Sequence, residues 1–378
     1  MGRKGILALI MALLLTGTCL AAPETTAPSC ILMDGATGTV LYEQDADHQL
    51  APASVTKVMT LLLVMEAIDR GQIGWDDMVT TSAAAAAKGG SQVYLEENEQ
   101  MSVHDMVKCV VVSSANDCAT ALAEAVAGSE SSFVEKMNQR AQELGMENTH
   151  FANCTGLDDE AGVDVHYTTS RDIAIMSREL LKHDEIREFT TIWMDTIRDG
   201  TFGLSNTNKL VRFYSGTTGL KTGFTQAAGY CMSASAERDG MELIAVVMNC
   251  ETSTDRFESA KALLEYGFAN YTLVDPVGQE EIPAVAVELG TSETVQAVPQ
   301  AADPVLLDKA AAAGVTREIT VTEQVSAPVE QGQTLGTITL KSGDDVLAEI
   351  PLVAEVGVER LSWGQLMSRI TRKLWMGA

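Results

Sequence analysis

Two rhythms of apolar residues run along the chain, and the change from one to the other divides it. From about residue 29 to 271, stretches with helical and strand periods alternate. Ile31-Leu32-Met33 and Val40-Leu41-Tyr42 flank the turn residues Asp34-Gly35 and Thr37-Gly38, which predicts a hairpin. Residues 54–70 are apolar at helical spacing and stop at Gly71, so a long helix is expected there. Residues 103–112 and 117–126 predict two helices broken at Ser113-Ser114-Ala115-Asn116, and 133–144 a further one closed by Gly145. The apolar runs 230–236 and 243–248 have strand length, with Arg238-Asp239-Gly240 joining them as a hairpin. A last helix over 259–266 is expected to end at Gly267. From 275 to about 355 the runs are short and alternating, as in 319–321, 336–340 and 346–350, with Pro328, Gly332 and Gly343-Asp344 between them. That predicts a small all-β region, in which 310–313 forms a short helix or linker.

Both ends depart from the body. Arg3-Lys4, the apolar run 5–15 and the small residues before Ala22 follow the layout of a secretory signal peptide over 1–22. The run is too short to remain as a bilayer-spanning helix. Ile6 stands where N-myristoylation needs Ser or Thr, and Thr16-Gly17-Thr18 before Cys19 is a poor match to lipoprotein processing. In 356–378, Trp363, Leu366, Met367, Ile370, Leu374 and Trp375 recur every three or four residues among Arg369, Arg372 and Lys373. On a helix this makes an apolar stripe with a basic flank, suited to a membrane interface. The alternative is a terminal helix packed on the protein's own surface.

Composition narrows the classes. Hydrophobic residues make up 46%, enough for a packed core, so wholesale disorder is excluded. The 52 acidic side chains outnumber the 26 basic ones, giving a net charge of −26. Such a chain lacks the basic footprint that nucleic acid requires. Cys30, Cys109, Cys118, Cys154, Cys231 and Cys250 follow no disulfide or zinc spacing and read as small core residues. The five histidines form no His-Glu-x-x-His pattern, so metal chemistry has no support.

Three short motifs carry candidate chemistry. Ser54-Val55-Thr56-Lys57 sets a hydroxyl and an amine three residues apart at a helix start, so their side chains can meet. A serine hydroxyl needs a base to become a nucleophile. A lysine of ordinary pKa is neutral in only about one molecule in 2,500 at pH 7, so Lys57 serves only if burial or a nearby cation lowers its pKa. A capping serine beside a solvated lysine is the plainer alternative. Ser114-Ala115-Asn116 sits at the helix break, where it could equally cap the next helix. Lys221-Thr222-Gly223 precedes the strand hairpin. Leu220 separates Gly219 from Lys221, which rules out a phosphate-binding loop.

In this order, on a helix, a loop and a strand, the three motifs resemble the active-site set of penicillin-recognising serine enzymes, the β-lactamases and penicillin-binding proteins. The surroundings are similar to the low-molecular-weight D-alanyl-D-alanine carboxypeptidases of peptidase family S11. The segments 52–60, 143–151, 155–157, 166–169 and 219–225 carry that likeness, with Cys154 a departure where many relatives have proline. The resemblance implies an α/β catalytic domain with an antiparallel sheet and helices over 29–271. A small β-rich domain over 275–355 and an amphipathic anchor helix over 356–378 would follow. It implies an exported enzyme held peripherally at the outer face of the cell membrane.

The same resemblance implies the roles. Ser54 would attack the carbonyl of the penultimate D-alanine of a peptidoglycan stem peptide, with Lys57 as base. The backbone N–H groups of Ser54 and Phe224 would form the oxyanion hole. Ser114 would pass a proton to the leaving amine, while Asn116 would hold the substrate amide and orient Lys57. Lys221 would lower the Lys57 pKa and attract the substrate carboxylate. Thr222 would hydrogen-bond that carboxylate, and Gly223 would let the peptide approach the strand. Arg256 would assist at the carboxylate, its alternative being a surface ion pair with Asp255 or Glu258. The resemblance implies no metal or organic cofactor, and β-lactams would acylate Ser54. A β-lactamase would need a deacylating group, and no Glu-x-x-Leu-Asn lies between Asn116 and Lys221. An endopeptidase or transpeptidase of the same fold, or a non-catalytic wall scaffold, are the remaining alternatives.

Overall fold

The computed structural model describes residues 22–158 and 165–376. Apart from Ala22, the leader expected over 1–22 lies outside the described residues. β1 (Ser29–Asp34) and β2 (Val40–Gln44) form the first hairpin, with Leu32 opposite Tyr42. A 3-10 turn (Ala53–Thr56) leads into α1 (Lys57–Asp69), and β3 (Met78–Thr80), α2 (Ala83–Ala86) and β4 (Gln100–Ser102) follow. Next come α3 (Val103–Val112), α4 (Asn116–Ala127), α5 (Glu130–Glu143), α6 (Ser170–Leu180) and α7 (Ile186–Thr190). After the hairpin β5 (Met194–Ile197) and β6 (Phe202–Ser205) and the short α8 (Leu210–Phe213), three long strands close the sheet: β7 (Thr217–Thr225), β8 (Gly229–Arg238) and β9 (Met241–Cys250). The five-stranded sheet has the order β2-β1-β9-β8-β7, with every pairing antiparallel.

The sheet is buried on both faces, which is why β1 and β9 read as unbroken apolar runs. Successive side chains point to opposite faces of a strand. Ile31, Met33, Ile244, Val246 and Met248 face the helical layer with α1, α3 and α4. Cys30, Leu32, Leu243, Ala245 and Val247 face α9 (Ser253–Asn270). α1 is buried almost all round, from Lys57 through Ala67, so it forms the centre of the helical layer. All six cysteines among the described residues are buried and free.

Several boundaries differ from expectation, among them the start of α9, which lies at Ser253 and not at 259. Ser54 belongs to the 3-10 turn, and the α-helix begins only at Lys57. Gly267 does not end the last helix, which continues to Asn270. A Cβ at position 267 would lie 2.4 Å from Leu243 Cδ1 and 3.0 Å from Leu32 Cδ2. That glycine lets the helix lie close on the sheet; it is not a cap.

Beyond α9, β10 (Tyr271–Val274) leads to β11 (Val285–Glu288), β12 (Thr294–Val295) and β13 (Ala297–Pro299). β14 (Val305–Asp308) returns to pair with β10, and α10 (Lys309–Ala313) follows it, with Lys309 Nζ donating to the Phe268 carbonyl. β15 (Val315–Val321), β16 (Gln324–Ser326), β17 (Thr334–Ser342) and β18 (Asp345–Ala354) complete a β region. Its sheets β12-β11-β16 and β13-β18-β17-β15 enclose a separate core of Val285, Val287, Leu335, Ile338, Ile350 and Leu352. The chain ends in α11 (Trp363–Met376), whose Trp363, Leu374 and Trp375 are exposed.

Candidate active site

Five helices, α2, α3, α5, α6 and α9, begin on a Ser or Thr whose side chain accepts a first-turn N–H. α4 is different. It starts on Ala115 with no side-chain cap, so neither Ser114 nor Asn116 is used as one. Ser114 instead sits in the α3–α4 break at φ +61°, buried, and its Oγ has no partner among the described residues. Asn116 donates through Nδ2 to the Gly89 carbonyl at 2.7 Å, and its Oδ1 is buried without a partner. A buried polar atom left unpaired costs about 1–3 kcal/mol. Two within one motif mark a place kept for a ligand's donors.

Ser54 is half-buried on the 3-10 turn, after Ala53 at φ +49°. Lys57 Nζ donates to Ser54 Oγ at 2.9 Å and to the Thr155 carbonyl at 2.8 Å. The lysine is completely buried. Burial pulls its pKa down to about 7, with Cys154 and Asp117 pulling weakly the other way. Its neutral form is therefore a substantial fraction at neutral pH, and the picture of a solvated lysine beside a cap does not hold.

Lys221 lies in the middle of the edge strand β7, also buried, with Nζ donating to the Thr222 carbonyl at 2.9 Å. Burial, then repulsion from Lys57 and Arg256, pushes its pKa well below the ordinary lysine range. Desolvation is the larger cause at both lysines, and the repulsion between Lys57 and Lys221, being mutual, favours the neutral form of each. Thr222 Oγ1 donates to Thr207 Oγ1 at 2.7 Å. A Cβ on Gly223 would meet the Pro52 carbonyl oxygen at 2.8 Å and the Ser54 and Val55 nitrogens at 3.0 Å, so the strand backbone abuts the nucleophile turn. The Phe224 ring is exposed and stacks on Tyr230 at 4.2 Å between centroids.

Arg256 forms no ion pair with Asp255 or Glu258. Asp255 is engaged in the capping box with Thr252, and the guanidinium is buried. Its Nη1 donates to the carbonyls of Gly223 at 3.1 Å and Cys231 at 3.4 Å, and its Nη2 to Ser253 Oγ at 3.3 Å. Arg256 thus holds β7 to β8 at the point where β7 meets the turn. Among the described residues Asn116 has no hydrogen bond to Lys57, contrary to the orienting contact expected.

Several contributors are invisible to motif reading. Gly156, at φ +84°, leaves no room for a side chain: a Cβ there would fall 1.8 Å from the Ala53 carbonyl oxygen. The buried Asp117 carboxylate accepts the N–H groups of Val93, Leu95 and Cys118, fixing the loop that offers Gly89 to Asn116. His166 Nδ1 accepts from the Ala152 N–H at 3.1 Å, so Nε2 carries the hydrogen and donates to Thr56 Oγ1 at 2.8 Å. Burial, with His150 adding, pushes the His166 pKa down to about 4. The nucleophile turn is thereby anchored from behind by a neutral imidazole. Among the described residues no group of three or more His, Cys, Asp or Glu could hold a metal ion.

This architecture is shared with solved penicillin-binding proteins. The structure of penicillin-binding protein 5 from Haemophilus influenzae superposes with a TM-score of 0.70 at 31% identity, covering 90% of this chain and 99% of that one. Penicillin-binding protein D2 from Listeria monocytogenes in its ampicillin-bound form matches 65% of this chain and 98% of that one, at 33% identity and a TM-score of 0.59. Residues 16–252 match the D-alanyl-D-alanine carboxypeptidase family, and residues 271–360 match the penicillin-binding protein 5 C-terminal domain. The D-alanyl-D-alanine carboxypeptidase DacF of Bacillus subtilis is 40% identical over 349 residues, 91% of this chain and 88% of that protein. The chain belongs to the D-alanyl-D-alanine carboxypeptidase family. Its activity is that of a serine-type D-Ala-D-Ala carboxypeptidase, an extracytoplasmic cell-wall hydrolase.

Proposed function

We propose that Ser54 and Lys57 are the nucleophile and base that release the terminal D-alanine of a stem peptide. The observation that carries this reading is the 2.9 Å contact between Ser54 Oγ and a fully buried Lys57 amine whose pKa is drawn down to about 7. Neutral Lys57 takes the hydroxyl proton as Ser54 Oγ attacks the penultimate carbonyl. The negative oxygen that forms is met by the backbone N–H groups of Ser54 and Phe224, a pairing supported by the contact of Gly223 with the turn. The C–N bond then breaks. The proton passes from Lys57 through the unpartnered Ser114 hydroxyl to the departing amine, and water hydrolyses the ester by the reverse route.

Asn116 Oδ1, buried and unpaired, accepts the substrate's amide N–H. The substrate carboxylate meets Lys221 and the Thr222 hydroxyl, and its negative charge favours the protonated form of Lys221. Arg256 acts through the Gly223 carbonyl as a positioning residue and adds positive charge. β-Lactams enter by the same acylation. The test is to supply a peptide ending in D-Ala-D-Ala and measure free D-alanine, with Ser54→Ala as control. No release above that control from folded protein would defeat the reading, and fast turnover of penicillin would favour a β-lactamase.

The exported chain would rest on the membrane through α11, whose exposed Trp363, Met367, Ile370, Leu374 and Trp375 lie among Arg369 and Arg372. No helix among the described residues is long and apolar enough to cross a membrane.

A further inference from the structure

The turn of the β5–β6 hairpin carries Arg198 at φ +52°. Its guanidinium meets the Glu99 carboxylate as a two-pronged fork, with Nε donating to Oε1 at 2.8 Å and Nη2 to Oε2 at 3.0 Å. Further donors reach backbone: Nη1 gives to the Val93 carbonyl at 2.9 Å and Nη2 to the Tyr94 carbonyl at 3.2 Å. The guanidinium also lies over the Phe202 ring, 5.4 Å from its centroid. The hairpin is itself secured to α3. Lys108 Nζ bonds Asp195 at 3.1 Å and the Thr196 carbonyl at 3.3 Å, and beyond β6 the Thr207 N–H donates to the Val112 carbonyl at 3.2 Å.

What Arg198 grips is the segment 89–95, which belongs to no helix or strand. Such a segment keeps its place only through the groups that pair with its backbone. On the inner side these are Asn116 and Asp117. The Gly89 carbonyl receives Asn116 Nδ2 and the Ser91 carbonyl receives the Asn116 N–H, both at 2.7 Å, while Asp117 takes the N–H groups of Val93 and Leu95. Arg198 works from the other side. Val93 is thus held by its N–H and by its C=O, and Tyr94 is kept at φ +58°, where a non-glycine residue seldom stays unheld. Asn116 has no slack against this strap: a Cβ on Gly90 would fall 2.8 Å from Asn116 Nδ2. The strap therefore sets the place of the Asn116 carboxamide, whose Oδ1 is the buried, unpaired acceptor.

We propose that Arg198 is a positioning residue for the reaction. It clamps the strap from the hairpin and so fixes where Asn116 Oδ1 stands relative to Ser54, acting through Asn116 and not on the substrate. A planar fork suits the task, since one group must reach a carboxylate and two carbonyls at set angles. This inference rests on the assignment of Asn116 to the substrate amide.

The test is the rate at which penicillin acylates Ser54 in Arg198→Ala, in Asn116→Ala and in the double variant. Arg198→Ala should slow acylation by about 10- to 100-fold, as for a displacement approaching an ångström in an aligned site. In the Asn116→Ala background the same substitution should cost less than about threefold, because the group it positions is gone. A merely structural role would cost the same factor in both backgrounds. Glu99→Gln, which leaves both carbonyls and weakens only the fork, should show the same pattern with a smaller loss, and it replaces Arg198→Ala should that variant fold poorly. Rates are read on the fraction that becomes labelled, so fewer folded molecules do not imitate a slower step. Acylation at the wild-type rate, or an equal factor in both backgrounds, would overturn the proposal. Acylation left unslowed by Asn116→Ala would instead overturn the assignment of Asn116 on which it rests.

Discussion

Lys57 can accept the Ser54 proton only while uncharged, and its burial brings that form into the neutral pH range. Penicillin acylation of Ser54 should therefore climb with pH, about tenfold per unit below 7 and level above it. A rate flat from pH 5.5 to 8 would remove Lys57 as the base. Lys57→Arg, which stays charged, should slow acylation by about 10²–10⁴-fold. His166 makes a second, separable prediction. Its pKa is lowered from 6.5 to about 4 by burial, so between those values the unfolded chain binds a proton that the native state refuses. Stability from this group is complete above pH 6.5 and declines as pH falls towards 4, by up to about 3 kcal/mol. Urea unfolding of His166→Gln, which keeps a donor for Thr56, should show a shallower loss from pH 6.5 to 4.5 than the wild type; matched slopes would refute the assignment. At this scale the sequence disclosed what local spacing can encode. Ser54 and Lys57 stand three residues apart, and both were evident. The Lys57–Thr155 and Thr56–His166 contacts join residues 98 and 110 positions apart, a separation that only the folded chain closes.

Secondary elements meet at the nucleophile through backbone. β7 presses on the 3-10 turn at Gly223, and the loop after α5 presses on it at Gly156. Gly223→Ala should push the strand outward by a fraction of an ångström and slow penicillin acylation by about 10²-fold, since misplacement on that scale is enough to break an aligned site. Its thermal midpoint should move by only a few degrees, because the clash is with one turn. Acylation unchanged from wild type would show that strand and turn are not in register for catalysis. The periodicity of apolar residues was sufficient to locate α3, the β1–β2 hairpin and the β8–β9 hairpin, because each is stabilised by its own neighbours. It misjudged the start of α1 and both ends of α9. At the start of α1 and the end of α9 tertiary packing decides: the turn is bent to meet β7, and Gly267 fits between Leu32 and Leu243. A glycine gives the same local signal whether it caps a helix or permits a close approach.

For the molecule as a whole, the −26 charge is carried by a body whose reaction centre gathers Lys57, Lys221 and Arg256. Deleting residues 363–378 should release the protein from anionic vesicles while D-alanine release stays within about twofold, since a basic amphipathic helix binds by its own face. Vesicle binding that survives the deletion would refute the anchoring role of α11. The seam between the two parts is not a single strand of linker. The chain leaves α9 as β10, returns as β14 and α10, and leaves again as β15, with a four-pair β10–β14 ladder and the Lys309–Phe268 contact across it. A tether crossed once permits swivelling about its own axis; one crossed three times and laddered permits bending but resists torsion. A C-terminal part joined in this way would have few rotational degrees of freedom, so that seating α11 on a surface would also determine which way the mouth of the Ser54 cleft looks.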